Sequence, residues 1–180
     1  MRAALLAFFL FALAGCVSAP KPPSVPVYDR SAHVVMADDH SVKRLYVPEE
    51  FSLEARENED VHTGFGFLSD KSVLYMFYMK SERKGAEEDL EASGYQEEQI
   101  KSGKVHYAFV RGIYADQVSP VPDEADLCVV SVVVIPWGRK SEMPVIAQLL
   151  KSRKCDDIDD FGEYQQSKLK HELYDILELR

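Results

Sequence analysis

Cysteine is scarce in this chain of 180 residues, which has only Cys16, Cys128 and Cys155. Three thiols are too few for a small disulfide-stapled scaffold, and none has the Cys-x-x-Cys spacing of a zinc site or a redox pair. Other catalytic signatures are missing too. No Gly-x-Ser-x-Gly elbow occurs, which removes the usual serine-hydrolase turn. The five histidines, His33, His40, His62, His106 and His171, never take the His-Glu-x-x-His spacing of a zinc protease. Basic residues are outnumbered, 21 against 30 acidic ones, for a net charge of -9. Lys151, Arg153 and Lys154 form the one basic cluster, and it sits where a helix end would want cations. Nucleic acid and anionic head groups both call for clustered Lys and Arg, so this acidity argues against either as a partner. Long apolar runs are absent as well. The stretch from Ala3 to Leu13 falls short of the roughly 20 residues that span a bilayer, and Pro20 and Lys21 close it off.

What is present begins at the amino terminus. Met1-Arg2, the apolar run to Leu13 and then Ala14-Gly15-Cys16 have the order of a processing signal: a short basic start, a hydrophobic middle and small residues at the cut. Leu13-Ala14-Gly15-Cys16 resembles the lipobox of bacterial lipoproteins. The resemblance implies diacylglyceryl transfer to the Cys16 sulfur, cleavage between Gly15 and Cys16, and often a third acyl chain on the new amino terminus. An ordinary secretory signal cut after Ala14 or Ala19 is the alternative. Two or three acyl chains hold a protein on a membrane where one would not, so the mature chain is expected to be anchored without spanning. Val17 stands where that family carries an Asp for inner-membrane retention, which favours the outer membrane, facing the periplasm. Loss of residues 1–15 takes Arg2 with it and brings the balance from -9 to about -10.

Residues 16–27 then read as the lipidated cysteine and a proline-rich tether, with four prolines between Val17 and Val27 and no hydrophobic period. A single globular domain is expected over residues 28–180. Residues 28–41 show no clear period and read as a loop or short element. Val42 to Val47, His62 to Leu68, Ser72 to Met79, Lys104 to Tyr114 and Leu127 to Ile135 read as strands. Ser72 to Met79 is apolar on both faces, which suits a central strand or one with a face in an interface. Ser81 to Ser93 reads as a helix closed by Gly94. A second helix of about eleven residues is expected from Ser141, burying Met143, Ile146, Ala147 and Leu150. A third begins at Asp160, where Asp160 and Glu163 have capping-box spacing. Together these predict an α+β fold: an antiparallel or mixed sheet of about five strands with about three helices packed on it. Ser72 to Met79 and the almost continuously β-branched Leu127 to Ile135 need more cover than three helices supply, which leaves a face for a partner.

The candidate sites are few. With Cys16 lipidated in an oxidising compartment, Cys128 and Cys155 are expected to form a disulfide rather than remain two buried thiols. Cys128 with His106 could make a thiolate–imidazole pair. However, Cys128 lies in a β-branched strand rather than at a helix start, so catalysis is not expected. Asp156, Asp157, Asp159 and Asp160 could attract calcium, but the run lacks an EF-hand's glycine and distal Glu and reads as charge at a helix start. Gly64 and Gly66 bare one face of their strand. That face would either be packed by neighbours or form a small-molecule or glycan groove with Tyr residues and Trp137 nearby. The chain thus reads as a non-catalytic envelope lipoprotein, without metal or cofactor, acting as an accessory or assembly component with a protein partner. A periplasmic ligand-binding domain is the alternative, and an envelope hydrolase a more distant one. An apolar flat patch would favour the first, and a concave aromatic pocket the second.

Overall fold

The computed structural model describes residues 25–37, 42, 44–80, 86–101, 103–113, 127–138, 145–157 and 159–179. Cys16 and the expected signal peptide lie outside them, as do His40, Met143 and the start of the helix expected from Ser141.

Ten strands and two α-helices are described. A small sheet has the order β1 (Val27–Asp29), β2 (Val34–Met36) and β3 (Arg44–Tyr46). The large sheet contains β4 (Ser52–Asn58), β5 (His62–Leu68), β6 (Ser72–Met79), β7 (Gln96–Ile100), β8 (Gly103–Ile113), β9 (Leu127–Gly138) and β10 (Val145–Lys154). Its order is β4-β5-β6-β10-β9-β8-β7, with each neighbouring pair antiparallel. Helix α1 (Ala86–Ala92) lies in the crossover from β6 to the far edge at β7, and α2 (Glu163–Ile176) closes the described chain.

This corrects the expected five strands and three helices: the fold is β-rich. The largest change is at β10. Val145, Ala147 and Leu149 are buried at a spacing of two, while Ile146 and Leu150 also fit a helical spacing, so the same string suits either period. Pairing settles it, because β6 bonds one edge of β10 and β9 the other, satisfying its backbone on both sides. Strands β4 and β7 had no sequence signal because Ser-Leu-Glu-Ala-Arg-Glu-Asn and Gln-Glu-Glu-Gln-Ile are polar. Both are sheet edges, where charge discourages pairing with another chain. Strands β1 and β2 also emerge from stretches read as tether and loop, and Val27 is already in β1. Strand β9 runs on through Pro136 to Gly138 rather than stopping at the proline.

The inner face of the large sheet carries Phe65, Phe67, Leu74, Met76, Tyr78, Val130, Val132, Val134, Ala147 and Leu149, all buried. Two covers lie on it. The small sheet presents Tyr28, Val35 and Leu45, aligned across its three strands, and the Tyr28 ring meets Phe67 edge-on at 5.0 Å. Helix α2 buries Leu169, Leu173, Tyr174 and Ile176. It starts at Glu163 with Gly162 as its N-cap and no side-chain cap bond, so the expected Asp160 capping box does not form. Polar contacts fix its position. Lys151 Nζ donates to Glu172 at 2.6 Å, Arg111 Nη2 to the Phe161 carbonyl at 3.1 Å, and Lys170 Nζ to Glu98 at 2.6 Å. Helix α1 ends as its sequence suggests: Gly94 takes φ +84°, Gly94 N–H donates to the Glu91 carbonyl and Tyr95 N–H to that of Leu90.

Cys128 and Cys155 form a disulfide with Cα atoms 4.9 Å apart. The expected strand–helix return is a strand–strand one: Cys128 pairs with Arg153 across the β9–β10 ladder, and the chain turns at Cys155–Asp157. The bond closes the open end of this hairpin over a separation of 27 residues, a loop worth about 3.5 kcal/mol on the chain-entropy account.

Candidate functional site

The outer face of the large sheet is the side away from the small sheet and α2. Alternation on β6 sends Leu74, Met76 and Tyr78 inward and Val73, Tyr75, Phe77 and Met79 outward, where all four are half-buried. Strand β10 sets Ile146 opposite Phe77 and Gln148 opposite Tyr75. Strand β5 sets Gly64 opposite Phe77 and Gly66 opposite Tyr75. An apolar, aromatic patch therefore runs over β5, β6 and β10. Towards β9 and β8, Ile135 and His106 on the same face are fully buried, while Val110 further along β8 is exposed.

The two glycines explain the shape of the patch. A Cβ on Gly66 would lie 3.2 Å from the Tyr75 ring and 3.3 Å from the Ala55 Cβ, and one on Gly64 would lie 2.6 Å from Glu57 Oε1. Neighbouring side chains have moved into the space that glycine leaves. Packing, not a groove, occupies this strip. Tyr75 and Phe77 stack at 6.3 Å, and His62 meets Phe77 edge-on at 5.3 Å. His62 Nε2 lies 2.8 Å from Glu57 Oε1. Trp137 belongs to β9, three strands from the glycine strand β5 and so about 14 Å across the sheet.

Polar groups mark the middle and one edge of the platform. Gln148 Nε2 donates to Ser131 Oγ at 3.1 Å within the apolar surface. Along β4 and its turn, Glu54, Glu57, Glu59 and Asp60 are exposed, with Arg56 the only cation between them. The result is a flat apolar centre with an acidic rim.

The other sequence candidates are dispersed. Cys128 is tied up in the disulfide, and its partner on β8 is Ile113, whereas His106 pairs with Ile135, about 23 Å along the strand. No thiolate–imidazole pair can form there. His106 Nε2 lies 3.6 Å from Glu97 Oε2, His33 Nδ1 3.5 Å from the Tyr28 hydroxyl, and His171 Nδ1 3.4 Å from Ser167 Oγ. Asp156, Asp157, Asp159 and Asp160 are exposed in the turns before α2, and among the described residues no group of three His, Cys, Asp or Glu is placed to hold a metal ion.

Glu57 escaped the sequence reading because β4 did, and Ile146 because β10 was read as a helix. The doubly apolar pattern of Ser72 to Met79 was the available signal for the platform. No described helix is long and apolar enough to cross a membrane.

No family model and no curated protein matches the chain. Among solved structures it is similar to the Ran-binding protein Mog1p of Saccharomyces cerevisiae, with 16% identity over 89% of this chain and 93% of that one, at a TM-score of 0.40. A likeness of that degree assigns neither a fold family nor a function to this chain.

Proposed function

We propose that this chain is a non-catalytic lipoprotein of the bacterial envelope, held by acyl chains on Cys16 in the outer membrane and facing the periplasm. Its role is that of an accessory or assembly component that binds another protein through the outer face of the large sheet. The observation that carries the partner reading is the platform of Val73, Tyr75, Phe77, Met79 and Ile146, half-exposed and flattened by Glu57 and Tyr75 over the two glycines. Flat apolar surface with polar groups around it is the character of a protein interface rather than a ligand pocket. The acidic rim along β4 calls for a partner whose apolar contact area is bordered by Lys or Arg. Support for the anchor comes from the resemblance of Leu13-Ala14-Gly15-Cys16 to a lipobox, and the Cys128–Cys155 disulfide suits an oxidising compartment.

A photo-crosslinking residue at Phe77, compared with one at Tyr164 on α2, tests this in intact cells. Tyr164 is 79% exposed and lies on the opposite layer, so it controls for chance encounters. The Phe77 position is expected to give one discrete protein adduct that Tyr164 does not, and the adduct should weaken when Cys16→Ser removes the anchor. No adduct, or the same adducts from both positions, would overturn the assignment.

A further inference from the structure

Six large apolar side chains are exposed among the described residues: Val25, Val27, Tyr46, Val61, Val110 and Tyr164. Three of them gather in one place. Alternation in the small sheet sends Tyr28, Val35 and Leu45 into the core, so Val27, Met36 and Arg44 form one outward row and Asp29, Val34 and Tyr46 the next. Val25 is 51% exposed, Val27 36% and Tyr46 42%, Met36 is half-buried, and Val34 between them is buried. Arg44 on this face and Arg30 in the turn after β1 are exposed. Asp29 faces the same way, but its Oδ1 already accepts hydrogen bonds from the Ser31 amide and hydroxyl and from the Ala32 amide, which hold its carboxyl below the usual range.

We infer that the outer face of the small sheet rests on the head-group layer of the membrane. The inference builds on the lipid anchor proposed above. Val25 is nine residues beyond Cys16, so the tether spans at most about 30 Å and can hold this face, the part of the domain that it enters, against the bilayer. Valine, methionine and tyrosine beside arginine suit the interface, where apolar stems meet acyl chains and guanidinium groups meet phosphate. The charge arrangement sets the orientation. The acidity that counts against anionic head groups for the chain as a whole is uneven. The ionised Asp29 is set against Arg30 and Arg44 here, whereas on β4 Glu54, Glu57, Glu59 and Asp60 are set against Arg56 alone, so the less acidic small-sheet face is the one turned to the lipid. The small sheet and the Tyr75–Phe77 platform lie on opposite sides of the core, so this pose leaves the platform open to the periplasm.

Hydroxyl-radical footprinting of the full-length acylated chain tests the contact, because methionine and tyrosine report their own exposure. The protein is compared in vesicles of phosphatidylethanolamine and phosphatidylglycerol and in a nonionic detergent, with Tyr75 and Met79 on the opposite face as internal references. Met36 and Tyr46 are expected to oxidise severalfold more slowly in vesicles, while Tyr75 and Met79 keep their rates. Unchanged rates at Met36 and Tyr46, or equal slowing at all four residues, would overturn the docking. The mass of the amino-terminal peptide from the same samples separates the two levels. Acylated Cys16 with an unprotected Tyr46 defeats only the membrane-facing surface, whereas an unacylated chain defeats the anchor and this inference with it.

Discussion

The carboxylate of Glu98 shows how single residues hold the layers together. It lies on edge strand β7 and receives bonds from two residues of α2, Lys170 Nζ at 2.6 Å and the Tyr174 hydroxyl at 2.9 Å. The same ammonium sits 4.2 Å from the centre of the Tyr107 ring, so one lysine joins β7, β8 and α2. Burial pushes the Glu98 carboxyl up, but Lys170 and Tyr174 together outweigh it and hold the group below its ordinary value of 4.5. Tyr174 is raised, first by burial and then by donating to Glu98, so it stays protonated and keeps that bond over the whole acid and neutral range. A carboxylate depressed in the folded state stabilises fully above its unfolded pKa and loses that contribution as pH falls through the lower, folded value. Stability should therefore drop below about pH 4.5, and Glu98→Gln should flatten the acid side of a plot of urea midpoint against pH. An unchanged acid slope in the variant would show that Glu98 is not coupled to folding.

At the scale of elements, β10 is where the sequence and the fold part. Its alternation predicts that Leu149→Ala, inside the core, lowers stability by about 2–5 kcal/mol. Ile146→Ala, on the half-exposed outer face, should lower it by about 1 kcal/mol. Urea denaturation checks both; the reverse order would fit the helix instead. Strands β5, β6, β8 and β9 were legible because they are long, β-branched or aromatic, and alternate cleanly. The α1 stop was legible because a glycine in a left-handed conformation followed by a hydrophobic residue is a local signal. The Cys128–Cys155 bond was legible from compartment and count. The missed elements have a common cause: β4 and β7 are polar edges, β1 and β2 are three-residue strands, and β10 gains its identity from the two strands that flank it. None of these is a property of a local window. The platform was half-legible, since β6 announced an outward apolar face, but Glu57 and Ile146 depended on strands that only the sheet order reveals.

For the whole molecule, the layers give two outward surfaces of different character. One is the small sheet with Val27, Tyr46 and Arg44 near the tether, and the other is the platform of Tyr75 and Phe77 with its acidic rim. The lipid anchor proposed for Cys16 would make sense of that polarity, since without it the amino-terminal face has no membrane to meet. Everything proposed about orientation therefore depends on Cys16. The direct measurement is the intact mass of the amino-terminal fragment of the full-length protein recovered from bacterial envelopes. The account predicts that residues 1–15 are gone and that Cys16 carries two or three acyl chains, with mild base removing the ester-linked chains and leaving a glyceryl group in thioether linkage on the Cys16 sulfur. An unmodified cysteine at Cys16, or a mature chain cut after Ala14 or Ala19, would contradict it.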